Sequence, residues 1–275
     1  MRILFFTLLC LSLPTATWAQ GTAAPAPVHT DGKTDAKTAT KPPRFRPGKA
    51  QKDKPRVRKA RERRYEDIRK LFAEAGIDYP PRQALMRVFK NLDLVELWVR
   101  PGKGATFVHV KDYQICSRSG ELDTKSQRGD SQVPEGFYHI SSYNAWSNFL
   151  LSMLVSYPNP SDRLRKTSRD AGGAICIHGN CVTIGCIPLT DRWIEELYLI
   201  CLDTAVFSGK RTLVHSFPDR LHGPRWEQLQ KDFADSPKLI EFWKEIKVGY
   251  DLFEASGKAP RMWFSKKGAY RFKAR

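Results

Sequence analysis

The chain has 275 residues, 41% of them hydrophobic and 27% charged, with a formal net charge of +17 at pH 7. That length suits one sizeable core in a single domain, and no later stretch approaches the roughly twenty apolar residues of a membrane helix. Basic chains often meet nucleic acid, but here residues 30–70 hold 16 Lys and Arg against 6 Asp and Glu, a net +10, and the rest has no basic stripe interleaved with stacking aromatics.

Met1-Arg2, the apolar run Ile3 to Leu13 and the small residues up to Thr17-Trp18-Ala19 read as a secretory signal peptide, residues 1–19. Cys10 lies inside the apolar run and not behind a lipoprotein processing site. The expected location is therefore the periplasm or cell envelope, with no nucleic-acid partner and no transmembrane segment after cleavage. Residues 20–58 are rich in Pro, Ala, Thr, Lys and Arg and poor in large apolar side chains, which predicts a disordered basic linker. It serves either as a tether to an anionic polymer or surface or as a spacer. A single folded domain is expected over 59–275.

Apolar spacing predicts a helix from about Lys59 to Ala75, with Tyr65, Ile68, Leu71 and Phe72 on one face and Gly76 closing it. Strand patterns follow at 84–89, 94–99, 106–116, 136–140, 149–156, 173–177, 212–217 and 261–264. A helix from Thr190 or Asp191 to about Ala205 carries Ile194, Leu197, Tyr198 and Cys201 at helical spacing. Another starts at Ser236-Pro237 with an apolar face of Leu239, Phe242, Trp243, Ile246, Tyr250 and Phe253. The fold class is mainly β with flanking helices, α+β overall. There is no Gly-rich nucleotide loop and no paired-carboxylate signature, so no organic cofactor and no metal are expected.

Chemistry concentrates between Ile175 and Asp191, where one histidine and three cysteines fall within seventeen residues. A β-type run stops at His178-Gly179, and the chain returns through Gly185-Cys186. A free thiol has a pKa of about 8.5 and is only slightly ionised at neutral pH. A neighbouring imidazole removes that limit. Gly185 lets the backbone turn tightly and aim amide N–H groups at a substrate carbonyl, as an oxyanion hole requires. Cys186 is accordingly the expected nucleophile and His178 its base. The same spacing leaves two other readings open: small buried cysteines beside a core histidine, and a zinc site of Cys176, His178, Cys181 and Cys186, although that spacing is not a usual paired-ligand pattern. Setting Cys10 aside leaves five cysteines, an odd count that implies at least one free thiol. A Cys181 to Cys186 bridge would switch the site off under oxidation.

His178-Gly179 followed by Thr183-Ile184-Gly185-Cys186 resembles the signature of the L,D-transpeptidase (YkuD-type) catalytic domain, His-Gly and then Ser/Thr-His-Gly-Cys. The likeness is closer to the YafK-like branch, in Asp130-Ser-Gln-Val-Pro-Glu-Gly-Phe-Tyr138, Tyr157-Pro-Asn-Pro-Ser-Asp162, His178-Gly-Asn-Cys-Val-Thr-Ile-Gly-Cys186 and Phe242-Trp-Lys-Glu-Ile-Lys-Val-Gly-Tyr-Asp-Leu-Phe-Glu254. It runs colinearly from about Tyr65 to Phe272.

The resemblance implies a β-sandwich or barrel-like catalytic domain with the cysteine at one end of its strands. It implies a peptidoglycan L,D-transpeptidase acting on stem peptides through a Cys186 thioester. The alternative within the branch is a hydrolase (amidase) that releases wall-attached protein, with a wall-anchored lipoprotein as partner. A catalytically silent wall-binding protein on the same fold is the alternative of another class. Thr183 supports the loop or the imidazole, and Tyr138, His139, Gly179 and Arg220 are the expected substrate-binding residues, Arg220 for a carboxylate; Arg163 and Lys125 are weaker candidates. Two positions depart from the wider family: Ile184 replaces a second histidine, and Pro188 an arginine that usually follows the cysteine.

Overall fold

A computed structural model describes residues 49–275. The expected signal peptide and the linker as far as residue 48 lie outside the described residues.

The sheet is built around β1 (Gln83–Phe89), whose seven residues are all buried. It pairs antiparallel with β2 (Leu94–Arg100), which pairs with β3 (Val108–Gln114). On its other side it runs parallel to β8 (Leu213–Phe217), followed by β4 (Gly136–Asn144), β5 (Ser152–Val155), β6 (Cys176–His178) and β7 (Ile187–Pro188). The order across the eight strands is β3-β2-β1-β8-β4-β5-β6-β7, and β9 (Arg261–Phe264) and β10 (Tyr270–Lys273) form a separate pair.

Strand alternation sends successive side chains to opposite faces. Met86, Val88, Val95 and Leu97 join the core that contains α2 (Pro55–Glu74) and α4 (Asp191–Ser208). Phe89, Phe137 and Phe217 face the other core, with α5 (Gly223–Asp232) and α6 (Pro237–Ser256). The expected mainly β core with flanking helices is the architecture found. The helices at 191 and 237 and most strands fall where the pattern placed them, with ends trimmed: 106–116 becomes β3, 149–156 becomes β5 and 173–177 becomes β6. Helices α3 (Pro160–Arg165) and α5 and strand β10 are additions. The α3 start is a capping box, in which Asn159 Oδ1 accepts from the Ser161 and Asp162 N–H groups while the Asp162 carboxylate accepts from the Asn159 N–H.

The largest correction is at the N-terminal side. Residues 49–58, expected to be disordered, form α1 (Lys49–Lys52) and the first turn of α2, with Pro55 in that turn. Composition misses this because the partners of the basic residues are distant. Helix α4 buries Glu195, Glu196 and Asp203. Asp203 takes a two-pronged contact from Arg61 at 2.7 and 2.8 Å, a bond from the Tyr79 hydroxyl at 2.7 Å and an ion pair from Lys52 at 3.2 Å. Arg63 and Arg64 both hold Glu195, and Lys111 and the Tyr113 hydroxyl hold Glu196. Val57, Ala60, Ile68 and Phe72 supply the apolar side of α2. Buried carboxylates must be paired, so the basic helix and the acidic helix order each other.

Cysteine pairing also departs from expectation. Cys181 is bonded to Cys116, and Cys186, Cys176 and Cys201 are free. Cys116 follows β3, and its N–H donates to the Pro188 carbonyl, which lays it against the 179–188 loop. The bridge also takes Cys181 out of the four-ligand zinc set.

Asp203→Asn is expected to lower stability by about 1–3 kcal/mol at pH 7 in urea unfolding, as one ionised hydrogen-bond acceptor is lost. Burial works to raise the Asp203 pKa, but Arg61 and Tyr79 outweigh it and hold the carboxyl below its usual value. A carboxyl with a depressed folded-state pKa contributes stability that is present above its unfolded value and lost as pH falls through the folded one. The gap between wild type and variant should therefore shrink on acidification below about pH 4. Replacing both Cys116 and Cys181 by Ser should cost about 2–4 kcal/mol in the same measurement.

Candidate active site

Strand register assembles the site. Cys176 and His178 are two apart on β6 and share a face, while Ile177 between them is wholly buried in the core. Parallel pairing sets Ile177 opposite Ile187 and His178 opposite Pro188, so Cys186, one residue before β7, arrives beside Cys176.

The imidazole is held by its own neighbour. His178 Nδ1 lies 2.6 Å from the Gly179 carbonyl. A carbonyl only accepts, so Nδ1 carries the hydrogen and Nε2 is left with its lone pair. The Cys186 sulfur acts on the ring and favours its protonated form, and Phe149 covers it with ring centroids 4.6 Å apart. Gly179 itself has no room for a side chain: a Cβ would lie 2.8 Å from Asp191 Oδ1 and 2.9 Å from the Phe149 carbonyl.

The loop before Cys186 is braced internally. Thr183 Oγ1 donates to the Cys186 carbonyl at 2.8 Å and accepts the Gly185 N–H at 3.1 Å. Gly185 has φ +126, a conformation open to glycine, with a would-be Cβ 3.0 Å from the Gln132 carbonyl. Thr183 thus supports the loop and not the imidazole. The Gly185 N–H, expected to help hold an oxyanion, is bonded here to Thr183 Oγ1.

Charge is shared around two sulfurs. Cys186 is held below the usual thiol range first by a hydrogen bond from the Cys176 thiol, against the opposing effect of burial, and then by His178 and by the Cys176 N–H at 3.4 Å. Cys176 is pushed well above that range by its bond to Cys186 and by burial. Burial draws His178 down, but the bonds to Cys186 and the Gly179 carbonyl and the thiolate charge outweigh it and the imidazole is raised. The arrangement favours a thiolate facing an imidazolium.

A cleft of about 160 Å³ opens at Cys186, with Val88, Val133 and Ile187 as apolar lining and residues 117–122 along it. The loop offers Arg118, which makes a two-pronged pair with Asp93 at 2.8 and 2.6 Å. It also offers the Ser119 hydroxyl, buried and without a hydrogen-bond partner among the described residues.

Three expected substrate contacts lie elsewhere. Tyr138 points inward and is 4% exposed, its hydroxyl 2.9 Å from the Glu135 carbonyl and 2.7 Å from Asp162 Oδ1. His139 accepts from Arg211 at 2.7 Å and lies 3.3 Å from Ser156 Oγ; burial and the Arg211 charge draw its pKa to about 4. Arg220 is paired with Glu96 at 2.5 Å and lies over the Phe89 ring, on the α6 side of the sheet, whereas the cleft is lined by Val88 from the opposite face. Lys125 is tied to Asp130 at 2.6 Å, and Arg163 sits in the last turn of α3. Sequence reasoning weighed Cys176 only as a zinc ligand or a buried thiol, and missed Phe149 and Arg118 at the site. The spacing of two between Cys176 and His178 was a usable signal for the first; nothing local marked the others.

The L,D-transpeptidase catalytic domain family (YkuD) matches residues 77–214. Two relatives named putative L,D-transpeptidase YafK, from Escherichia coli strain K12 and Escherichia coli O157:H7, are each 30% identical over 178 residues, 64% of this chain and 68% of theirs. Among solved structures, the helical cell shape determining protein Pgp2 from Campylobacter jejuni overlaps 72% of this chain and 80% of its own at 16% identity, with a TM-score of 0.41. Bd1075 from Bdellovibrio bacteriovorus overlaps 62% and 60% at 18% identity, with a TM-score of 0.37. With half of its length matched by the family and relatives at this identity, the chain belongs to the L,D-transpeptidase catalytic domain family.

Proposed function

We propose that this protein is an exported cysteine acyltransferase that acts on peptidoglycan stem peptides through a thioester on Cys186. The observation that carries the reading is Cys186 lining a cleft while its thiol is held below the usual range in part by His178, an imidazole whose Nδ1 is fixed by the Gly179 carbonyl.

In this reading the Cys186 thiolate attacks the carbonyl carbon at the L-centre of an L,D peptide bond. The carbonyl oxygen takes the charge, and the Cys186 amide is the loop donor assigned to it. His178 Nε2 gives its proton to the leaving amine as the C–N bond breaks, which leaves an acyl thioester and a neutral imidazole. The acceptor amine of a second stem peptide then attacks the thioester, His178 takes a proton from it, and the sulfur leaves as thiolate. Water in place of the amine gives a shortened stem peptide or frees a wall-attached protein. Arg118 is the cation assigned to a substrate carboxylate, in place of Arg220. The basic linker before α2 supports retention near an anionic envelope polymer, whereas the arginines of α2 are tied to Glu195 and Asp203.

Purified protein incubated with muropeptides, and separately with sacculi carrying attached protein, should convert them to products that mass spectrometry resolves. A new stem-to-stem bond identifies transfer, and a free carboxylate or released protein identifies hydrolysis. Cys186→Ala should abolish either product while leaving the thermal melt within a few degrees of wild type; binding without conversion by the unmodified protein would make it a silent wall-binding domain. Arg118→Ala should raise KM roughly tenfold with a smaller change in kcat, the worth of one charge-assisted hydrogen bond.

A further inference from the structure

Cys176 meets the Cys186 sulfur through its backbone and brings its own thiol alongside. Its backbone N–H lies 3.4 Å from Cys186 Sγ, and the Cys186 sulfur pushes the Cys176 thiol up. Both sulfurs also reach the Ala174 carbonyl, Cys176 at 3.5 Å and Cys186 at 3.7 Å. Two equivalent thiols in one place would lose a first proton from either sulfur. These two are not equivalent. Only Cys186 is bonded to His178, and only Cys186 receives a neighbouring backbone amide. Cys176 has the buried Ser152 hydroxyl as its other side-chain partner. The remaining titratable groups bordering Cys186 are across the cleft: Lys90 is bound to Glu135, Arg118 to Asp93, and Glu121 completes the set.

We propose that Cys176 is a positioning residue for the nucleophile: it keeps its own hydrogen and donates it to the Cys186 thiolate, steadying that sulfur toward the cleft. This rests on the reading of Cys186 as the attacking group. A neutral S–H donor supplies part of what a second histidine beside the cysteine would supply, and it does so without adding a charge. Sulfur is a weak donor in isolation, but a thiol facing a thiolate is the arrangement by which paired cysteines lower the ionisation of one partner. No covalent bond forms in this role; the hydrogen stays on Cys176 through the cycle.

The test is the pH dependence of alkylation at Cys186 by iodoacetamide, read residue by residue from peptide masses, in protein whose Cys116 to Cys181 bridge is intact. Cys176→Ala should move the midpoint upward by at least about one pH unit, making alkylation about tenfold slower below the midpoint. Cys176→Ser, which keeps a donor of similar size, should recover most of that shift, with thermal melts alongside to separate folding from ionisation. In the wild-type protein, alkylation at Cys176 should lag behind Cys186 across the range. An unmoved midpoint in Cys176→Ala, an equal shift in Cys176→Ser, or equal wild-type rates at the two sulfurs would each overturn the proposal. Because the label reads the sulfur directly, these outcomes stand apart from the Cys186→Ala result on stem peptides, which tests the acyl-transfer reading itself.

Discussion

The hydrogen bond from His178 Nδ1 to the Gly179 carbonyl is the constraint on which the site depends. It decides which ring nitrogen carries hydrogen, and so leaves the other to face a thiol. The Gly179 carbonyl is aimed by a backbone with no side chain to accommodate: its N–H reaches the Phe149 and Leu151 carbonyls, and the next N–H, of Asn180, is taken by Asp191 Oδ1. Asp191 is the first residue of α4. The position of the imidazole is therefore tied to that helix, and the helix is held by arginines of α2 gripping Glu195 and Asp203. A basic segment that looks remote from chemistry in the sequence is two steps from the histidine in space.

This linkage explains where pattern reading succeeded. Alternating apolar runs and helix starts depend on near neighbours, so 83–89, 94–100, 191–208 and 237–256 were legible, and one short stretch carries both Cys186 and His178, the pair that the proposed chemistry uses. The failures share a cause: each depends on a residue far along the chain. Residues 55–58 are helical because carboxylates well over a hundred positions later accept their neighbours' charge. Tyr138 resembled a cleft residue in its motif, yet strand alternation turns it to Asp162. Arg220 matched a family-like arginine, but the sheet separates it from the cleft. Pairing of Cys181 with Cys116 was likewise invisible, since the distance along the chain carries no information about β3 ending beside the 179–188 loop.

The bridge and the free thiols are parts of one arrangement. Cys181 lies five positions before Cys186, close enough in sequence to compete for its sulfur, and its bond to Cys116 removes that competitor. Thr183 and Gly185 then turn the chain so that Cys186 reaches back toward β6 instead of toward Cys181. The protein thus holds an oxidised pair and a reduced pair within one loop region, kept apart by backbone geometry.

The same bridge lies against Pro188. In the wider family an arginine commonly stands two residues after the cysteine, but here the position is a buried β7 residue opposite His178, whose carbonyl accepts the Cys116 N–H. A long cation at 188 would have to leave that buried slot. The chain instead carries Arg118 on the segment that follows Cys116, and Cys116 is fixed twice, by its disulfide and by the Pro188 carbonyl. Arg118 reaches the cleft from the opposite wall, where Asp93 holds its guanidinium in a planar fork and roughly half of the side chain stays exposed. A substrate carboxylate would meet a cation already oriented and only partly neutralised, which is the condition for a two-pronged contact.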